Sequence, residues 1–376
     1  VSRMVGHICV AVLVASVVPL RAASAAPAQV TFCRQTLPVG TRTLRCRTSG
    51  RRGQKQSLRT LSSFTELRSL DLSGQQFSDY AAIGSLKKLR KLEIRQEHCV
   101  PGRFSGTGPR KPRAVVELSF LAGLTHLEEL DLSLPAKSLK PLKDLKRLKK
   151  LSLEVLGSPD LSFLESLVRL EILEVNVEHL KMPSIQRLVR LRKVRISGNT
   201  LDLKNMPPAK SVRALTLVQG FHGCSGTEEM PTKALDGRHL MKRFPKLRSL
   251  SLEGHGSAFT TFDFTNMPRN TALKKMYLGG DIMLKPWSGL ARFKGITDLT
   301  LEHLGESIPT LDPIGKLTRL RKLSLIEATE SEIKSLRALW KLKRLRFFQI
   351  AHTFVPRIEL KKLRKRLPKL RIKTGE

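Results

Sequence analysis

Residues 311–325 read LDPIGKLTRLRKLSL. Leu320, Leu323 and Leu325 make a Leu-x-x-Leu-x-Leu frame. Alternation across Leu323 and Leu325 puts both side chains on one face of a short extended strand. Just before it, Ile314, Leu317 and Leu320 step by three, the period of a 3-10 or short α turn packed behind the strand. Pro313 suits the first turn of such a segment, with Asp312 expected as its N-cap. One unit of this size cannot bury its own leucines, so it is expected to stack against copies of itself.

The copies are present. The frame recurs twelve times, opening at Leu67, Leu89, Leu127, Leu148, Leu170, Leu191, Val212, Leu247, Leu273, Ile296, Leu320 and Leu345, and all 36 frame positions are apolar. Leu370 and Ile372 open a truncated thirteenth copy. Most copies lie 21 to 26 residues apart. The steps from Leu89 to Leu127 and from Val212 to Leu247 are longer, which places insertions at about 96–117 and 219–243. Both are rich in Gly and Pro and read as irregular loops.

The phrases LDPIGKLTRLRKLSL (311–325) and LKPLKDLKRLKKLSL (139–153) resemble the SDS22-like class of leucine-rich repeats, which includes the bacterial internalins. The resemblance covers about residues 58–376. It implies an α/β fold: a right-handed leucine-rich repeat solenoid, or horseshoe, with a parallel β-sheet on the concave face and short α/3-10 turns on the convex side. Such horseshoes host many unrelated binding roles, so the resemblance does not name a ligand. Repeats of this class carry Asn three residues after the last strand leucine. Here only Asn199 fits, and Gln75, Pro135, Leu156, Glu178 and His255 occupy matching positions, which leaves the regularity of the turns leaving the strands open.

Four segments are expected: a secretory signal peptide at 1–28, an N-terminal β-hairpin cap at 29–57, the repeat array at 58–359 and a basic C-terminal cap or partial repeat at 360–376. The leader combines Arg3, an almost wholly apolar run from Ile8 to Leu20, and small-x-small cleavage sites at Ala23-Ser24-Ala25 and Ala26-Pro27-Ala28. An Arg- and Ser-bearing, acid-free leader also fits an organellar transit peptide. No other segment reaches the ~20 apolar residues of a membrane span. Export makes a disulfide between Cys33 and Cys46 the expected pairing, closing a hairpin around Pro38-Val39-Gly40 and sealing the open end of the core. His98-Cys99 and His222/Cys224 suggest a metal site. They sit five repeats apart, roughly 24 Å along the stack, too far to meet unless the loops bridge the gap.

The chain carries 68 Lys and Arg against 32 Asp and Glu, a net charge of +36. That balance favours contact with polyanions, or simply a basic solvated surface. The frame locates the charge. The third, fifth and seventh positions of each repeat should face the concave surface, and there seven residues are basic and nine acidic. The candidate concave binding residues are Glu129, Asp131, Glu154, Glu174, Tyr277, Asp298, Glu302 and Phe347. The positions just before and after the first leucine differ: of 24, sixteen are basic and three acidic. Arg147, Lys149, Arg190, Arg192, Lys246, Arg248, Arg319, Arg321, Arg344 and Arg346 should form a basic ladder along one lateral edge. Long basic stems also shield leucine flanks without any ligand.

No phosphate loop, HExxH or GxSxG motif is present, so neither an enzyme nor a cofactor is expected. The leading expectation is an exported, monomeric, non-catalytic scaffold, secreted, periplasmic or on the cell surface. It would recognise a protein or surface glycan through its concave face and insertion loops. Two alternatives stand: a binder of acidic polysaccharide or another polyanion using the basic edge, and an intracellular SDS22-like regulatory scaffold if the leader is retained.

Overall fold

The computed structural model describes residues 28–46, 57–74, 77, 79–96, 115–155, 157–198, 200–202, 207–219, 235–254, 260–265, 267, 270–280, 282–304, 308, 310–327 and 333–375. Residues 1–27 of the expected leader, 97–114 of the first insertion and 220–234 of the second, with Cys99, Cys224 and their histidines, lie outside the described residues.

The three-residue apolar step is a backbone feature. The N–H groups of Leu61, Phe64 and Leu67 each donate to the carbonyl three residues back, at 2.9, 3.0 and 3.1 Å. The same run links Tyr80, Ile83, Leu86 and Leu89. In 3-10 geometry residues i and i+3 eclipse, so a three-step of apolar side chains becomes one buried column. Such segments occupy Arg59–Ser63, Ala81–Ser85, Ser119–Gly123, Lys140–Asp144, Ser162–Ser166, Trp287–Arg292 and Arg337–Lys341. Asp312–Gly315 is a short α turn that keeps the step of three; where the step widens to four, from Leu240 to Phe244 and from Leu363 to Leu367, the segments are α-helical: Gly237–Arg243 and Arg357–Arg366. The former lies within the second insertion, whose C-terminal end is therefore a regular helix rather than irregular loop. Asp236 caps it, accepting from the N–H groups of Arg238 and His239. Asp312, expected as a cap, is instead the first residue of Asp312–Gly315; Leu311 holds the cap position and supplies no side-chain bond. The Asp312 carboxylate accepts from the Thr310 hydroxyl at 2.9 Å.

The frame strands build one sheet of fourteen strands, running from Thr43–Arg45 at one end to Arg371–Gly375 at the other. Every neighbouring pair is parallel, and the frame leucines stand in register, for example Leu130 with Leu151 and Leu151 with Leu173. All 36 frame side chains are buried, none more than 4% exposed. A single aliphatic interior therefore runs the length of the stack. The chain is an open right-handed leucine-rich repeat solenoid with the long sheet on its concave side.

The convex side is less uniform than expected. Past their main-sheet strands, His179–Lys181 pairs with Thr200–Asp202, while Leu235–Asp236, Thr260–Asp263 and Ile282–Lys285 form a second small parallel sheet. In these central repeats short strands join the α and 3-10 turns. The large side chains of Phe262, Phe264 and Phe293 fill the core beside them.

The N-terminal cap differs from the expected hairpin. Gln29–Phe32 pairs antiparallel with Gln35–Pro38, and the turn is Cys33-Arg34, both with positive φ. Pro38-Val39-Gly40 instead leads the chain out of the hairpin and into Thr43–Arg45. That strand joins the main sheet beside Ser69–Asp71. Cys46 then takes the place of a strand leucine. Its disulfide to Cys33, with Cα atoms 5.4 Å apart, ties the hairpin turn over the end of the core. Closing that loop restrains the unfolded chain and so stabilises the folded one. Phe32 packs edge-on against Phe64, ring centres 6.5 Å apart.

At the far end, Arg357–Arg366 crosses the terminal repeat and Arg371–Gly375 completes the truncated copy. Glu359 is buried beneath the helix. Its carboxylate accepts from the Leu336 N–H at 3.0 Å and the Lys362 ammonium at 2.9 Å. These bonds hold its pKa below the usual 4.5. The anchor is complete above the ordinary carboxylate range and is lost as pH falls through the lowered value.

Candidate functional site

Alternation along each strand lifts the third, fifth and seventh frame residues onto the concave surface. All eight concave candidates lie there: Glu129 and Asp131 on Glu129–Ser133, Glu154 on Lys150–Val155, Glu174 on Ile172–Val177, Tyr277 on Lys275–Gly280, Asp298 and Glu302 on Asp298–Glu302, and Phe347 on Phe347–Ala351. The first four share three adjacent strands. Tyr277 and Glu302 meet across one strand boundary, and Phe347 stands apart from both groups.

Most of the concave carboxylates have cross-strand partners. Asp131 pairs with Arg95, and Glu129 lies 3.8 Å from Lys91, which also reaches Glu93 at 2.8 Å. Glu154 accepts from the Ser133 hydroxyl at 2.8 Å and from the Asn176 amide at 3.5 Å. Glu174 lies 3.8 Å from Lys193, and Glu253 lies 3.5 Å from Arg195, two strands away. The bond to Asp131 outweighs burial and raises the Arg95 pKa. Charges of both signs thus stand side by side across the surface.

Tyr277 is a half-buried polar group of this face. Its hydroxyl donates to Glu302 at 3.0 Å. Burial first, then the bond and charge of Glu302, push its pKa up to about 12. The ring lies over Gly279, where any Cβ would collide with it. Tyr277 is therefore a neutral, oriented hydrogen-bond group throughout the physiological range.

The missing asparagines have a structural replacement. Two residues after the last strand leucine the backbone is left-handed at Gly74, Gly280, His303, Glu327 and His352. The N–H groups of His303 and Glu327 then reach the carbonyls of Ile326 and Ala351 in the next repeat, both at 2.9 Å. Nδ1 of His303 lies 2.9 Å from the Glu327 carboxylate. The common offset of His303, Glu327 and His352 from Leu301, Leu325 and Ile350 is the one sequence signal of these turns. Asn199 itself lies outside the described residues.

The basic edge is in register. In each repeat the carbonyl of the residue after the first leucine accepts two N–H groups from the next repeat. Arg192 receives Arg213 and Ala214, and Arg321 receives Arg346 and Phe347, at 2.9–3.1 Å. All ten candidate edge residues are exposed. The two halves of the edge differ. In repeats one to five, Glu66 pairs with Lys88, and Glu128 pairs with Lys149 at 2.6 Å and Arg90 at 3.5 Å. From Arg190 to Arg346 the fourteen edge positions hold ten basic residues and no acid.

Among the described residues no cluster of three or more His, Cys, Asp or Glu is arranged to hold a metal ion. No described helix is long and apolar enough to cross a membrane.

No family model and no curated protein matches the chain. Solved structures do. An internalin, InlF, of Listeria monocytogenes superposes with a TM-score of 0.54 at 15% identity, covering 91% of this chain and 90% of that one. A leucine-rich repeat protein of Leptospira interrogans gives 0.45 at 18% identity, with 84% and 80% covered. The functional domain of InlJ from Listeria monocytogenes gives 0.44 at 15%, with 83% and 69% covered. At these identities the likeness is one of fold. The chain has the architecture of the internalin-like class of leucine-rich repeat proteins.

Proposed function

We propose that the chain is an exported, non-catalytic binding scaffold whose concave face recognises a protein partner. The observation that supports this most is the fixed arrangement of concave charges. Groups already held by neighbours lose little conformational freedom when a partner docks, which is what preorganisation contributes to affinity. A mixed-sign surface of this kind also selects its partner, since a mismatch sets like charges together. Export rests on the leader composition, and N-terminal sequencing of the mature protein tests it: a start near Gln29 agrees, and a retained leader contradicts.

The recognition claim is tested by exchanging one pair, Glu174→Lys with Lys193→Glu. The exchange keeps an internal ion pair and reverses what a partner meets. A partner captured from cell-surface extracts by the unaltered protein should bind the exchanged one roughly 100-fold more weakly, because like-charge contacts across an interface cost several kcal/mol. Undiminished binding would remove the concave face from the account.

A further inference from the structure

We infer that the acid-free half of the lateral edge, from Arg190 to Arg346 and on to Arg371, is a binding track for a linear acidic polysaccharide. The backbone ladder brings these positions into single file, one rung per repeat, at the ~4.8 Å spacing of neighbouring strands. Arg371 continues the file, its N–H donating to the Arg346 carbonyl at 2.9 Å.

The side chains divide into two kinds. Arg192, Arg213 and Arg346 each turn one guanidinium nitrogen onto backbone carbonyls: Arg192 onto Val189 and Ser211 at 3.1 Å, Arg213 onto Lys210 at 2.8 Å, and Arg346 onto Lys343 at 2.9 Å. These bonds fix the heads along the edge. A guanidinium has five N–H donors, so most remain available to a ligand. The side chains of Arg190, Lys246, Arg248, Arg319, Arg321 and Arg344 make no hydrogen bond or ion pair among the described residues. Their charge is uncompensated and free to meet an anion.

The chemistry of the file selects the ligand. Single-stranded nucleic acid would call for aromatic platforms, and among the described residues the only exposed large aromatic side chain, Phe354, lies past the other end of its strand. A lipid surface would call for large apolar side chains to insert, and among the described residues this stretch of edge exposes only Val189. A duplex carries one charge per ~1.7 Å of axis, denser than the file can neutralise. An extended chain of sulfated or carboxylated sugars presents its anions one rung at a time and needs neither stacking nor insertion. The first half of the edge offers no such track, because Glu66, Glu128 and Glu171 interrupt it, and Glu66 and Glu128 pair with three of its six cations, Lys88, Lys149 and Arg90.

Two triple variants of the full chain separate this site from mere positive charge. Arg248→Glu with Arg319→Glu and Arg321→Glu alters the proposed track. Arg68→Glu with Arg147→Glu and Arg169→Glu changes the net charge equally on the other half. The probe is a size-defined heparin oligosaccharide, with duplex DNA and phosphatidylserine vesicles for comparison. The track variant should bind the oligosaccharide roughly 100-fold more weakly, and its log–log salt slope should fall by roughly three. The control variant should stay within about three-fold of the unaltered protein, since its charges make no contact with the ligand. Equal losses in both variants would overturn the proposal, as would tighter binding of the DNA or the vesicles through the same residues. Neither variant removes a bond among the described residues. Should the track variant nevertheless unfold, the salt dependence of the unaltered protein decides: a slope of less than about two is too shallow for a track of this length.

Discussion

Replacing Gly280 by alanine is expected to destabilise the array by roughly 2–5 kcal/mol, read as a fall in the denaturant midpoint. Two effects act on one methyl group. Gly280 has φ +73°, where a side chain costs roughly 1–2 kcal/mol. Its Cβ would also fall inside the envelope of the Gly254 carbonyl oxygen in the neighbouring repeat. A backbone atom cannot swing away as a flexible side chain does, so the parallel strands must part. Gly157 provides the comparison: φ is +78°, yet nothing lies within 4 Å of its Cβ position. Gly157→Ala should carry the backbone cost alone. If the two variants lose equal stability, strand spacing at Gly280 is not the constraint described here.

Phe264→Ala is expected to cost roughly 3–5 kcal/mol, the range for emptying a buried aromatic site. Phe264 is 1% exposed and meets Phe262 and Phe293 edge-on, with ring centres 4.8 and 5.7 Å away. Gly289 lies so close to its Cβ that no larger residue fits there. The ring is thus clamped between neighbouring repeats, and the hole left by alanine has few routes to close. Phe264→Leu, which refills much of the volume, should cost markedly less. A loss below 1 kcal/mol for alanine would mean the central repeats repack freely.

Much of this was legible in the sequence. The 36 frame positions gave the sheet, and the three-residue step gave the 3-10 turns, because both periods are short-range consequences of backbone geometry. The disulfide was legible too, but its turn was not. Pro38-Val39-Gly40 carries the usual turn chemistry, whereas Cys33-Arg34 adopts positive φ with residues that rarely do so. That conformation is what a two-residue hairpin loop requires, since positive φ at both central residues matches the twist of the flanking strands. The short convex strands were equally hidden, since they arise from stacking of successive repeats and not from any local pattern. For the concave face, the sequence marked which residues point outward. It could not show that Glu154 would find both Ser133 and Asn176, because those partners are set by register across strands. The basic edge was visible as a count. Its division into a half interrupted by acids and an acid-free half became a physical feature once the ladder of shared carbonyls put the residues in file.

Amide hydrogen exchange tests the shared parallel interior most directly. A strand with a hydrogen-bonded neighbour on each side has every N–H engaged, while an edge strand leaves alternate ones free. Consecutive amides along Lys150–Val155, Ile172–Val177 and Lys322–Ile326 should therefore all exchange slowly, and those of Arg371–Gly375 should alternate between slow and fast. Alternation or rapid exchange within the inner strands would contradict the stack, and with it the placement of the concave face and the basic edge.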